Sequence, residues 1–230
     1  MIGLLPAAGN ATRIHGLPKY LLPVPGGYLL QQHIQGMQAM GCSLIMTMVN
    51  DTNAKILECV TPSVNLYTAE HHDTMTQTVL SALDCMGEHR QNEPILFAMP
   101  DTYWQSPHVY LLLKRAVEDG ADVAVALFKS RPKQHTQGGM CRIEGTQVTE
   151  VIDKPAQSDL QYIWSALAWS PVFWSHLHPN DPHVGYGLSR AITAGLDVRA
   201  VVCEGEFWDC GTPERYFECI RALEGEGAYG

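Results

Sequence analysis

Three stretches of this chain hold residues that could handle a phosphorylated ligand. The first, PAAGNATRIHGLPKYLLPV (residues 6–24), follows an apolar opening and offers Gly9, Arg13 and Lys19 without a single acid. Gly9 lets the backbone approach a ligand closely, and the small residues around it, Ala8, Asn10, Ala11 and Thr12, leave room for backbone N–H groups to face an anion. Arg13 adds a planar fork suited to phosphate oxygens, and Lys19 a point charge. The loop matches neither G-x-x-x-x-G-K-[ST] nor G-x-G-x-x-G. The second and third stretches are LFAMPD and GEFWD, in which Asp101 and Asp209 end or follow apolar strands. Two carboxylates converging on one sheet edge suit Mg²⁺, which takes one or two carboxylates and completes its shell with phosphate and water. Lys154, fixed before Pro155 in DKP, is a third cation.

The charge distribution sets these residues apart. The chain of 230 residues has 15 Lys and Arg against 24 Asp and Glu, a formal charge of −9, which disfavours nonspecific nucleic-acid binding. Residues 1–50 carry no acid, and Arg13 and Lys19 are their only formally charged side chains. An anion site set in an acidic protein is the consequence. No apolar run approaches the roughly 20 residues of a membrane span, and MIGLLPAAG lacks a basic leader, so a soluble, cytoplasmic protein is expected. The 7 cysteines are odd in number, scattered and without a C-x-x-C pair, and are expected to be reduced. His176, His178 and His183 in HLHPNDPH are expected in a solvated loop.

Elements able to position these residues follow from the apolar pattern. IGLLPA (2–7), SLIMTMV (43–49), VNLYTA (64–69), PILFAMP (94–100) and ADVAVALF (121–128) read as strands. Residues 28–40, 52–60, 76–86 and 109–120 read as the helices between them. This alternation predicts a mostly parallel α/β sheet, in which ligands bind at the carboxyl ends of strands. Residues 138–155 read as a hairpin turning at Glu144-Gly145, followed by a strand over 162–170, helices near 171–177 and 184–195, and a strand over 197–203. The last helix opens with Thr212 as N-cap and Pro213 at its first position. No linker divides the chain, so one domain over residues 1–230 is expected.

The first loop resembles the signature of the sugar-1-phosphate nucleotidylyltransferases: an apolar strand, (L/P)-A-A-G-x-(G/A)-x-R, a short spacer and P-K. MPDT (99–102) resembles their strand-ending Asp, IDKP (152–155) their E-K-P, and FWDCGTPERY (207–216) their W-x-D-x-G-T-P-E-x-Y. The four motifs keep the family order over nearly the whole chain. Departures are Ala11 for a common Gly, Asp153 for Glu, Pro100 before Asp101, Trp208 directly before Asp209, and the four-residue spacer IHGL.

The resemblance implies a three-layer α/β/α, Rossmann-like fold of the glycosyltransferase-A-like nucleotidyltransferase type. It also implies transfer of a nucleoside monophosphate from an NTP to a sugar 1-phosphate with release of pyrophosphate. Arg13 and Lys19 would hold the triphosphate, Asp101 and Asp209 Mg²⁺, and Asp153 and Lys154 the second substrate. His71, Thr74, Thr76 and Gln77 lie where the family reads the base, although Thr74 or Thr76 could equally cap a helix. Gly138 and Gly139 lie where the family's backbone faces the sugar, or form a plain bend. The short spacer also suits a cytidylyltransferase acting on a polyol or aminoalcohol phosphate. A non-catalytic nucleotide-binding homologue is the third possibility, and homo-oligomers are common in the family.

Overall fold

The computed structural model describes residues 1–9, 18–60, 65–68 and 72–227. Asn10, Ala11, Thr12, Arg13 and His71 therefore lie outside the described residues. In chain order the elements are β1 (Ile2–Pro6), β2 (Pro23–Val24), β3 (Gly27–Tyr28), α1 (Leu29–Ala39), β4 (Leu44–Val49), α2 (Asp51–Val60), β5 (Leu66–Thr68), α3 (Met75–Met86), β6 (Ile95–Ala98) and β7 (Thr102–Trp104). There follow α4 (Val109–Glu118), β8 (Val123–Lys129), β9 (Gly139–Glu144), β10 (Gln147–Asp153), β11 (Tyr162–Trp169), α5 (Gly185–Thr193), β12 (Val198–Val202), β13 (Phe207–Asp209) and α6 (Pro213–Gly227).

A 9-stranded sheet in the order β5-β4-β1-β6-β11-β8-β12-β10-β9 organises the chain. Only β11 and β10 run against the other strands, since β11 is antiparallel to β6 and β8, and β10 to β12 and β9. The expected mostly parallel α/β sheet is therefore present. At its far end β9 returns to pair with β11 through Tyr162–Cys141 and Ile163–Met140, which curls the sheet. β1 sits between β4 and β6, so the crossovers leaving its two sides open a crevice at its carboxyl end.

Alternation within the central strands builds the layers. Ala124, Ala126 and Phe128 of β8 join one core with Leu30 and Ile34 of α1, Leu57 of α2 and Leu113 of α4. Val123, Val125 and Leu127 join the opposite core with Val79 of α3, Leu188 of α5 and Trp169. A strand apolar on both sides needs helices on both faces, which is why these sequences read as continuous apolar runs. No helix among the described residues is long and apolar enough to cross a membrane.

Three short strands, β2, β3 and β7, escaped the sequence pattern. β2 pairs with β3, and β7 pairs with β13, each as a two-stranded ribbon too short to show a period. The segment expected as a helix near 171–177 is a 3₁₀ helix over Pro171–His176. Cys42, Cys85, Cys141, Cys203, Cys210 and Cys219 are free thiols.

Candidate functional site

Two cavities adjoin at the carboxyl ends of β1 and β6. One, of about 240 Å³, is bounded by Ala7, Ala8, Gly9, Lys19, Thr74 and Asp101, among others. The other, of about 380 Å³, is bounded by Gly138, Gly139, Asp153, Lys154, Trp164 and His183, and also by Lys19, Asp101, Asp209 and Arg215. Lys19, Met75, Met99 and Asp101 border both. Their joint size suits a two-part ligand.

The ribbon of β7 and β13 brings the two aspartates together although more than a hundred residues separate them. Thr102, directly after Asp101, stands opposite Asp209, and the Cys210 N–H donates to the Asp101 carbonyl at 2.9 Å. The Gly211 N–H donates to Asp209 Oδ1 at 2.8 Å. A Cβ at Gly211 would stand 2.7 Å from Asp209 Oδ1 and 3.7 Å from Asp101 Oδ2, so both carboxylates face the space that this glycine leaves open. Each has a cation beside it: Lys19 Nζ lies 3.7 Å from Asp101 Oδ2, and Arg215 Nη1 lies 2.5 Å from Asp209 Oδ2. Desolvation first, and then the Asp209 charge, hold the Asp101 carboxyl above its ordinary range despite Lys19.

These residues fit a hard divalent cation. Asp101 and Asp209 supply two carboxylates around one open volume, and an added cation would relieve the repulsion that raises Asp101. Among the described residues no group of three or more His, Cys, Asp and Glu could hold a metal.

The larger cavity is shaped by strand pairing. Asp153 stands opposite Gly139 at the end of the β9–β10 hairpin, and the Lys154 N–H donates to the Gly138 carbonyl at 3.1 Å. Lys154 has φ of 42°, the left-handed region that costs a non-glycine residue free energy. Its side chain is half-exposed, with Nζ 3.9 Å from Asp153 Oδ2. Gly139 has no room for a side chain, since a Cβ there would lie 2.0 Å from Trp164 Nε1.

His183 is a residue that the sequence reading placed in a solvated loop, and the structure corrects this. Its side chain is 13% exposed and its Nε2 lies 3.1 Å from Asp153 Oδ1. Its Nδ1 accepts from the Gly185 N–H at 3.1 Å, which assigns the proton to Nε2 and makes His183 a donor to Asp153. Burial holds the imidazole below its ordinary range, and the Asp153 charge offsets part of that. Nothing in HLHPNDPH signals this pairing. Arg215 was also missed, although its place in GTPER, in the first turn after Asp209, was a usable signal.

On the other side, Thr74 is the N-cap of α3. Its Oγ1 accepts from the Gln77 N–H at 3.1 Å, and Gln77 Oε1 accepts from the Asp73 N–H at 2.8 Å and the Thr74 N–H at 3.4 Å. T-x-x-Q here is a capping box. Thr74 still borders the smaller cavity, whereas Gln77 and the buried Thr76 line neither cavity. Of the base-side candidates, Thr74 is therefore the described residue with access to a ligand.

Comparison with known proteins follows this geometry. The family model of the MobA-like NTP transferase domain matches residues 3–177. No curated protein is matched by sequence. Among solved structures, UDP-glucose pyrophosphorylase complexed with UDP-glucose superposes with a TM-score of 0.78 at 18% identity, covering 98% of each chain. A putative glucose-1-phosphate thymidylyltransferase from Bacillus anthracis gives 0.81 at 14% identity, covering 97% of this chain and 95% of that one. UTP-bound UGPase from Acinetobacter baumannii gives 0.75 at 13% identity, covering 96% and 92%. These likenesses establish the shared fold.

Proposed function

Because the chain belongs to the MobA-like NTP transferase domain family, we propose that it transfers a nucleoside monophosphate from an NTP to a sugar 1-phosphate and releases pyrophosphate. The observation that carries this reading is the pair of adjoining cavities with Lys19 and Asp101 on their shared border. One cavity has the Ala7–Gly9 backbone for phosphates; the other has a carboxylate and a lysine, Asp153 and Lys154, for a phosphorylated polyol. The likeness to a UDP-glucose pyrophosphorylase complexed with UDP-glucose and to a UTP-bound UGPase supports the same substrate class.

In this reading an oxygen of the acceptor phosphate attacks the α-phosphorus. The bond to the bridging oxygen breaks, and pyrophosphate leaves with that oxygen. The nucleophile is already an anion, so no side chain need remove a proton, and the work is positioning and charge neutralisation. Lys19, on the border of both cavities, meets the negative charge shared between the two substrates, with Arg13 assigned to the triphosphate by the motif. Asp101 and Asp209 would hold Mg²⁺, which when bound supplies charge neutralisation to the phosphates. Asp153, oriented by His183, accepts from an acceptor hydroxyl, and Lys154 meets the acceptor phosphate. The reading takes residues 1–230 as one transferring domain.

A panel of four NTPs against sugar 1-phosphates and alcohol phosphates tests it, with pyrophosphate release as the readout. Mg²⁺-dependent release with a sugar 1-phosphate is expected. Release with polyol or aminoalcohol phosphates alone reassigns the acceptor, and nucleotide binding without release from any pair removes the enzymatic reading.

A further inference from the structure

We infer that Asn50 and Asn53 are positioning residues that set the backbone of the Ala7–Gly9 turn for the nucleotide's phosphates, an inference that rests on the nucleotidyl-transfer reading above. Asn50 directly follows β4 and the turn directly follows β1, so they lie at the carboxyl ends of neighbouring parallel strands. Asn50 Nδ2 donates to the Ala8 carbonyl at 2.9 Å. Asn53 Nδ2 donates to the Ala7 carbonyl at 3.0 Å and the Gly9 carbonyl at 3.3 Å. Two amide side chains thus engage three successive carbonyls from the first turn of α2.

That arrangement fixes where the N–H groups go. Along a strand successive peptides alternate in direction, and here they do not. Across a trans peptide the N–H points opposite to the preceding carbonyl, and the described chain has no cis bond. With the Ala7 and Ala8 carbonyls turned toward α2, the Ala8 and Gly9 N–H groups face away from it. The smaller cavity is bounded by Ala7, Ala8 and Gly9 but not by either asparagine, so the turn stands between the brace and the cavity. Backbone N–H groups presented together are a recurrent means of holding phosphate.

The choice of residue also points beyond a cap. Asn50 Oδ1 accepts from the Asn53 N–H at 2.8 Å, which makes Asn50 the N-cap of α2. Ser, Thr or Asp would cap as well. Among these only asparagine joins a capping acceptor to an NH₂ donor, and it is the donor that reaches Ala8. Asn53 is 7% exposed, so its amide is committed to this task and not to solvent.

This separation gives the test. Asn50→Ser keeps a capping oxygen and loses the donor, while Asn53→Ala removes the other half of the brace. Inorganic tripolyphosphate and the four NTPs are titrated by calorimetry, and glucose 1-phosphate serves as the acceptor probe. Each variant is expected to bind tripolyphosphate and the NTP used by the wild type about 5- to 30-fold more weakly, the range for one or two net hydrogen bonds. Glucose 1-phosphate affinity and, for Asn50→Ser, the melting temperature should stay at wild-type values. The Gly9 amide resonance should move on adding tripolyphosphate to the wild type and move less in the variants. If Asn53→Ala fails to fold, Asn50→Ser decides alone. Unchanged tripolyphosphate affinity, or an equal loss for glucose 1-phosphate, overturns the brace while leaving the transferase reading standing. A wild type that binds neither tripolyphosphate nor any NTP overturns both.

Discussion

Lys19 Nζ stands 3.7 Å from Asp101 Oδ2, and both residues border the two cavities at once. The lysine comes from the longest acid-free stretch of the chain, residues 1–50, and its partner follows β6, eighty-odd residues later. Attraction to Lys19 does not outweigh the other forces on Asp101. Desolvation and the neighbouring Asp209 charge still raise its carboxyl above the ordinary range, so the ionised form is held at a cost to the fold.

Asp101→Asn should therefore lose turnover and gain stability at neutral pH. A group whose folded pKa is raised stabilises the fold below its unfolded pKa and loses that contribution as pH rises through the folded value. At pH 7 the ionised carboxyl opposes folding, and replacing it should add about 0.5–2 kcal/mol, the usual return from relieving a destabilised functional site. The gain should vanish near pH 3, where the carboxyl is protonated in both states. Removing a group that organises transition-state charge should lower kcat by about 10²-fold or more. Urea unfolding at both pH values, with pyrophosphate release, checks this; wild-type turnover in the variant removes Asp101 from the site.

Gly139→Ala should injure the acceptor side selectively. Its Cβ would meet Trp164 Nε1 at 2.0 Å, so the indole, which is buried, must shift. Overpacking of this kind costs about 1–3 kcal/mol. The displaced indole would narrow the cavity that Gly139, Trp164 and His183 share. The KM for the acceptor should rise while the KM for the nucleotide holds, and parallel rises in both would show that the cavity assignment is wrong.

His33 should make the fold acid-sensitive. It is buried between α1 and β7, with Nε2 donating to the Thr102 carbonyl at 3.0 Å and Nδ1 accepting from the Tyr110 hydroxyl at 2.7 Å. Burial lowers its pKa from 6.5 to about 4. The unfolded chain takes up the proton first, so stability is full above pH 6.5 and falls as pH drops toward 4. The loss at pH 5 should be about 2 kcal/mol, from the 1.36 kcal/mol that each pKa unit represents. Denaturant midpoints between pH 7 and 5 measure it. His33→Gln should be less stable at pH 7 but show a flatter slope; an unchanged slope would assign the acid sensitivity elsewhere.

Much of the fold was legible because long buried strands and amphipathic helices leave a period in the sequence. β8 reads as an apolar run since α4 covers one face and the α5 side the other. T-x-x-Q at Thr74–Gln77 was legible in principle as a capping box, yet the same residue types suit base recognition, and only the Gln77 hydrogen bonds to Asp73 and Thr74 separate the two readings. β7 is 3 residues long and stable only as the partner of β13, so no local pattern announces it, whereas the apolar run before Asp209 already marked β13.

By itself, then, the sequence determined the layered α/β chain, its two pairs of charged candidates and the order of the motifs, because these depend on local propensity and residue chemistry. Only the tertiary structure decided which polar and charged groups meet. Lys19 with Asp101, Arg215 with Asp209, His183 with Asp153, and Asn50 with the Ala8 carbonyl are contacts between segments distant along the chain or separated by a turn. Their existence depends on strand order and register, which place the ends of β1, β4, β6 and β13 side by side and which no single segment encodes.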